Sequence, residues 1–129
     1  MKKILVVDDE LTSTRLLKQG LEHCGLYEVR EENKSGRVLD TVQAFRPDLI
    51  VMDVCMPEMD GGEVASEIRA HPEHKKLPII FLTSVVSETE TEARPLMSGG
   101  FRFMAKPVNL TRLMAEIDRK STRLNSSHQ

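Results

Sequence analysis

The sequence predicts an α/β domain, a parallel β-sheet covered by helices on both faces. Three observations carry that prediction. Short apolar runs, Ile4-Leu5-Val6-Val7, Leu49-Ile50-Val51-Met52 and Ile79-Ile80-Phe81-Leu82, have the length and composition of strands buried on both sides. Between them lie longer stretches whose apolar residues recur at the spacing of amphipathic helices. Strand and helix alternate along the chain, which suits βα units and not hairpins. At 129 residues, 40% of them hydrophobic, the chain has the size of one domain with an aliphatic core.

Each element has its own signal. The first strand, Ile4 to Val7, stops at Asp8-Asp9-Glu10. A helix is predicted from about Ser13 to Cys24, with Leu16, Leu17, Leu21 and Cys24 towards one face and Gly25 as its stop. Tyr27 to Glu32 reads as a weak, edge-like strand. Val38, Leu39, Val42 and Phe45 form the stripe of a second helix between Ser35 and Phe45, broken by Arg46-Pro47-Asp48. The strand Leu49 to Met52 ends at Asp53. Asp60 starts a helix with Glu63 three residues on, as in a capping box; Val64, Ala65 and Ile68 are its buried face, and His71-Pro72 ends it. The strand Ile79 to Leu82 ends at Thr83. A polar stretch runs to Gly99-Gly100, and a short strand from Phe101 to Ala105 ends at Lys106-Pro107. The last helix starts near Asn109 and buries Leu110, Leu113, Met114 and Ile117.

Charge and composition exclude several functional classes. Eighteen Lys+Arg against 20 Asp+Glu leave a formal charge of −2, with no overall attraction to nucleic acid or an anionic membrane. No apolar run approaches the ~18–20 residues of a transmembrane helix, and the first one stops at Val7, too short for a secretory signal. Cys24 and Cys55, 31 residues apart without a CxxC partner, indicate neither a disulfide framework nor a zinc site, and Cys24 is expected to pack under its helix. His71 and His74 flank Pro72 in a loop and read as loop residues, not as a metal pair. A soluble cytoplasmic domain is the expectation.

The end of the chain has a different character. Residues 118–128, Asp118 through His128, resemble a translated short-read sequencing adapter, and apolar periodicity lapses after Ile117 apart from Leu124. The domain is therefore predicted over residues 1–117, with 118–129 a non-native tail. Without that tail, 15 Lys+Arg stand against 19 Asp+Glu, and the natural chain is free to continue past Ile117.

Four predicted strands end in polar residues: Asp8-Asp9, Asp53, Thr83 and Lys106. In an open parallel sheet the carboxyl ends of the strands share one edge, where ligands bind. Singly, each residue is an ordinary cap or loop residue. Together they would gather three carboxylates, a hydroxyl and an ammonium at one rim, which capping does not account for. Clustered carboxylates repel one another unless a cation sits among them, and hard oxygen donors suit Mg²⁺, which shares its shell with phosphate. A lysine and a hydroxyl opposite would hold a phosphoryl group, and positioning with charge neutralisation is most of what phosphoryl transfer requires. Asp53, between the acid pair and the lysine, is the candidate nucleophile, giving an aspartyl phosphate.

The stretches Ile4 to Glu10 (ILVVDDE), Leu49 to Gly61 (LIVMDVCMPEMDG), Thr83-Ser84 and Phe103 to Pro107 (FMAKP) resemble the receiver domain of a two-component response regulator of the chemotaxis-regulator type, over essentially residues 2–117. The resemblance implies a (βα)5 flavodoxin-like three-layer sandwich with parallel strand order 2-1-3-4-5. By position it implies that Asp53 is the phosphoacceptor. Asp8 and Asp9, with Asp53 and the backbone carbonyl of Cys55, would hold Mg²⁺. Thr83 corresponds to the switch hydroxyl, Lys106 to the lysine that contacts the phosphoryl group, and Phe103 to the switch aromatic; the Lys106-Pro107 bond would be cis. A sensor histidine kinase or histidine phosphotransfer protein would be the donor, and an unidentified output protein or domain would read the result. The resemblance implies no direct nucleic acid or membrane binding. The only catalysis it implies is of the domain's own phosphorylation and dephosphorylation.

Two departures bear on these expectations. Pro95 falls where the family carries a helix between the fourth and fifth strands; an interior proline costs ~3 kcal/mol, so that helix is expected to be short, kinked or late. Val85, two residues past Thr83 as Cys55 is past Asp53, offers no side-chain hydrogen bond to a hydrolytic water, which implies slow self-dephosphorylation. Two other classes compete. A phosphorylation-independent interaction module is marked by loss of Asp53 or the acid pair, and both are present. The input half of a larger enzyme or transcription factor would show in the natural sequence past Ile117. A haloacid-dehalogenase-type phosphatase wants a second acid two residues after its nucleophile, where Cys55 stands.

Overall fold

A computed structural model describes residues 1–54, 56, 60–83 and 102–126, with side chains through residue 118. Its strands, β1 (Lys2–Val7), β2 (Tyr27–Glu32), β3 (Leu49–Asp53), β4 (Ile79–Thr83) and β5 (Arg102–Ala105), form one parallel sheet in the order β2-β1-β3-β4-β5. The helices among the described residues are α1 (Leu11–His23), α2 (Val38–Phe45), α3 (Gly61–Arg69) and α4 (Leu110–Ser126). This is the flavodoxin-like arrangement expected. Cys55, Val85, Pro95, Gly99-Gly100 and Phe101 lie outside the described residues.

Parallel neighbours need crossover connections, and the crossover helices bury their stripes on the sheet. Side chains alternate along each strand. Leu5 and Val7, with Ile50, Met52, Ile79 and Phe81, meet Val42 and Phe45 of α2 and Val64 and Ile68 of α3. Ile4 and Val6, with Val51, Ile80 and Leu82, point the other way and meet Leu17 and Leu21 of α1 and Leu113 and Ile117 of α4. Of the three inner strands, β3 and β4 are buried at every position, which is why their sequences are unbroken apolar runs. β2 pairs with β1 alone among the described strands and alternates buried with exposed at Tyr27 to Arg30, the pattern of an edge.

Local signals set the helix ends. The Glu63 N–H donates to Asp60 Oδ1 at 2.9 Å, and the Asp60 N–H donates to Glu63 Oε1 at 3.3 Å, the reciprocal capping box read from the sequence. A 3₁₀ turn at Ser35–Arg37 leads into α2, so only its later part is α-helical. α1 differs from expectation. It begins at Leu11, and its buried stripe is Thr14, Leu17 and Leu21, at helical spacing; Leu16, about 100° round the helix from Leu17, is 62% exposed. Cys24 is exposed as well, at the C-cap where the chain leaves α1 for β2; its Sγ donates to the Leu21 carbonyl at 3.2 Å.

The backbone of α4 stays helical through Ser126, beyond the lapse in periodicity after Ile117. Asp118 reaches back to the sheet: its Oδ1 accepts from the Tyr27 hydroxyl at 2.7 Å and lies 3.9 Å from Lys2 Nζ. Burial, reinforced by that bond, holds the Tyr27 phenol well above its ordinary range. Tyr27 is the single tyrosine and the chain has no tryptophan, so near-ultraviolet phenolate absorbance reads this residue alone. The folded chain is expected to show no phenolate at pH ~10, where the unfolded chain titrates. Because the folded state keeps a proton the unfolded state loses, stability falls as pH rises above ~10. Half-ionisation at pH ~10 in the folded chain would contradict this.

Candidate functional site

The strand ends meet along one rim, and the ladder carries on past them. The Asp8 N–H donates to the Glu32 carbonyl at 3.2 Å, the Val54 N–H to the Leu82 carbonyl at 3.0 Å, and the Lys106 N–H to the Thr83 carbonyl at 2.9 Å. These bonds fix the backbone on which the charged side chains stand.

Oxygens of Asp8, Asp9 and Asp53 all lie within 4.8 Å of one another. Lys106 Nζ stands between two of these acids, 3.2 Å from Asp8 Oδ2 and 3.1 Å from Asp53 Oδ1. The second oxygen of Asp8 accepts the Glu10 N–H at 3.0 Å. Asp8, Asp53 and Thr83 are buried, whereas Asp9 is open to solvent and Lys106 is half-buried. Among the described residues the cluster therefore sets one ammonium against three carboxylates.

The imbalance shows in the titration of the site. Burial pushes the Asp53 carboxyl up from its ordinary value; the Lys106 hydrogen bond opposes this, and repulsion from Asp8 and Asp9 adds to it. Burial alone would lower Lys106, but its bond to Asp53 and the fields of Asp8 and Asp53 outweigh that and raise it. Burial is the largest cause of the Asp53 shift, and the neighbouring carboxylates add to it.

Of the residues expected here, Asp8, Asp9, Asp53 and Lys106 come together directly. Thr83 ends β4 one position beyond Leu82, the register partner of Asp53. Phe103 is partly buried on the α2/α3 face and stacks on Phe81, with ring centroids 5.1 Å apart and planes at 27°. The Lys106-Pro107 bond is cis. Cys55 is outside the described residues, so its carbonyl is not placed.

Two features escaped the sequence. Gly61 donates its N–H to the Val54 carbonyl at 2.8 Å, and a Cβ there would stand 2.9 Å from both the Asp53 carbonyl oxygen and Phe81 Cε1. α3 can begin directly under Asp53 only because this position has no side chain. Asn33, in the turn after β2, donates to the Asp8 carbonyl at 2.8 Å. Nothing in the pattern between Glu32 and Lys34 points to a contact 25 residues away. Thr14, a polar residue in the buried stripe of α1, was the available signal.

Comparison with known proteins bears on the same residues. A sequence model described as the response regulator receiver domain matches residues 4–118. The chain is 34% identical over 117 residues to the phosphate regulon transcriptional regulatory protein PhoB of Rhizobium meliloti, covering 91% of this chain and 51% of that protein. It is 34% identical over 125 residues to the regulatory protein AtoC of Escherichia coli, covering 92% of this chain and 25% of that one. The chain thus spans from about a quarter to about half of the length of these curated relatives. Among solved structures, chemotaxis protein CheY4 of Vibrio cholerae matches with a TM-score of 0.79 at 30% identity, covering 92% of this chain and 98% of that chain. A response regulator from Desulfuromonas acetoxidans gives 0.82 at 26% identity, covering 96% and 99%. The domain match spans nearly all of the chain, the fold agrees with it, and the acids and lysine of its motifs converge at one rim. The chain belongs to the response regulator receiver domains, the signalling switches of two-component systems.

Proposed function

We propose that Asp53 accepts a phosphoryl group from the phosphohistidine of a sensor histidine kinase or histidine phosphotransfer protein. The observation that carries this is the Lys106 ammonium, bridging Asp53 and Asp8 beside an acid cluster it does not fully neutralise. An Asp53 oxygen attacks phosphorus; the new O–P bond forms as the donor's N–P bond breaks, and the leaving imidazole keeps the electron pair and takes up a proton. Lys106 Nζ, already in contact with Asp53 Oδ1, then donates to a phosphoryl oxygen. The Thr83 hydroxyl is assigned a second such bond. The same residues serve the later hydrolysis, in which water attacks phosphorus, the Asp53 O–P bond breaks and inorganic phosphate leaves, which makes the domain a catalyst of its own modification and of no separate substrate.

Asp8, Asp9 and Asp53 would hold Mg²⁺, with the Cys55 carbonyl assigned by resemblance alone. The donor set fits. Its atoms are hard carboxylate oxygens in excess over the one lysine, and oxygens bound at ~2.1 Å from a common ion lie ~3–4 Å apart, close to the spacing found here. When bound, Mg²⁺ supplies positive charge that offsets the charge on the phosphoryl oxygens.

The signal leaves along β4 and β5. Thr83 lies two residues beyond Phe81 and on the same side of the strand; Phe81 pairs in register with Phe103 and stacks on it. A turn of Thr83 towards the phosphoryl group is thereby passed to Phe103 and to the surface an output protein or domain would read. A groove of about 320 Å³, walled by Leu16, Leu17, Pro107, Val108 and Leu110, opens beside Asp8 and Lys106. Its apolar wall, with Leu16 exposed, favours a protein donor over a free phosphate ester. No helix among the described residues is long and apolar enough to cross a membrane. We assign the domain to residues 1–117 and to the cytoplasm, with 118–129 adapter-derived.

Intact-mass measurement after incubation with acetyl phosphate tests this. One phosphoryl group is expected, requiring both Mg²⁺ and Asp53. Equal incorporation into Asp53→Ala, or without Mg²⁺, would overturn the assignment; none in a folded parent chain would point to the phosphorylation-independent module.

A further inference from the structure

The peptide joining Asp8 to Asp9 is held from outside the acid cluster. Its carbonyl, on Asp8, accepts Asn33 Nδ2 at 2.8 Å. The same amide nitrogen donates its other hydrogen to Thr14 Oγ1 at 2.9 Å. A carbonyl can only accept, so the Asp8 contact requires the nitrogen and not the oxygen of the Asn33 amide to face it. Thr14 is fully buried, and its hydroxyl in turn lies 2.7 Å from Glu31 Oε1, with the Leu11 carbonyl at 3.1 Å. The other oxygen of Glu31 pairs with Arg15 Nε at 3.4 Å. A polar chain thus runs from Glu31 on β2 through Thr14 on α1 to Asn33 and ends on the one peptide that connects two of the three clustered acids.

We propose that Asn33 is a positioning residue for the acid pair. By fixing the plane of the Asp8–Asp9 peptide, it sets where the Asp9 side chain leaves the backbone and holds that exposed carboxylate within reach of Asp8 and Asp53. Asp8 has other restraints, the Glu10 N–H and Lys106 on its oxygens and the Glu32 carbonyl on its N–H. Among the described residues no hydrogen bond or ion pair restrains the Asp9 carboxylate, so the peptide plane is the principal device that aims it. The inference rests on the reading of the acid rim as a Mg²⁺ site.

The test is calorimetric titration of Mg²⁺ into the full chain and into Asn33→Ala, Asn33→Asp and Thr14→Val. Removing an outer partner of a metal ligand costs about tenfold or more in affinity. A Mg²⁺ dissociation constant raised about tenfold is expected for Asn33→Ala and Asn33→Asp, the latter keeping size but turning an acceptor on the Asp8 carbonyl. Thr14→Val keeps the Asp8 bond and loses only the brace behind Asn33, so its rise is smaller. Saturating Mg²⁺ is expected to restore the phosphorylation rate in all three, a split between affinity and rate that general damage would not give. Affinity within about twofold of the parent in any folded Asn33 variant overturns the proposal, as does a rate that no Mg²⁺ concentration restores. A parent chain that takes up no Mg²⁺ overturns the functional reading itself, a separate result.

Discussion

Lys106→Met slows phosphoryl incorporation from acetyl phosphate by about 10²–10³, the loss seen when one preorganised donor to a developing charge is removed. Methionine keeps the stem of lysine up to its terminal atom but carries neither charge nor donor, so the phosphoryl oxygens lose the partner now 3.1 Å from Asp53 Oδ1. The same substitution has an effect of opposite sign on the metal. Lys106 is the internal cation of the cluster, in contact with Asp8 and Asp53. With it gone, three carboxylates repel one another unrelieved, and a divalent ion gains what the ammonium supplied. Mg²⁺ binding therefore tightens while the rate falls. Without metal the variant is destabilised by on the order of 2 kcal/mol, below the ~3–5 of a fully buried pair because Lys106 is partly solvated. Mass spectrometry over time, Mg²⁺ calorimetry and urea unfolding measure the three effects. Slower transfer together with weaker Mg²⁺ binding would mean that Lys106 supports the acids instead of competing for them.

Gly61→Ala harms both fold and transfer, although alanine is the better helix former by up to ~1 kcal/mol. The new Cβ would lie 2.9 Å from the Asp53 carbonyl oxygen and 2.9 Å from Phe81 Cε1, and neither neighbour can yield cheaply. Asp53 is the last residue of a strand paired on both sides, and Phe81 is buried and stacked on Phe103. Overpacking of this kind costs ~1–3 kcal/mol, enough to outweigh the propensity gain. The remaining way out is displacement of α3 or of the Asp53 backbone, and a shift of ~1 Å in a reacting group costs about 10² in rate. Urea midpoint and initial phosphorylation rate should fall together. A variant as stable and as fast as the parent would show that α3 moves freely beneath the site.

The fold was legible because β3 and β4 are buried on both faces and therefore spelt as apolar runs ending in Asp53 and Thr83. With the β1 run that stops at Asp8-Asp9, these runs placed four of the site residues, since a strand's end needs only its last apolar residue to be found. α1 was less legible. Its stripe includes Thr14, which is polar because it belongs to a hydrogen-bonded chain, and that chain joins residues 17 and 19 apart that no periodicity connects. Leu16 looked like core because leucine there is apolar, yet it faces the groove beside the acids. Gly61 was visible as part of a motif, but its reason, the closeness of the Asp53 carbonyl, exists only in three dimensions.

Lys106 and Asp8 touch across 98 positions of sequence, with every strand of the sheet assembled between or beside them. Such a contact is among the last a chain can make, because long loops must close before it forms. Competence to be phosphorylated is thus a report on folding itself. A truncated or partly unfolded copy has its acids but not its lysine beside them. The rim is therefore a product of the closed sheet, since its lysine and its acids come from opposite ends of the fold.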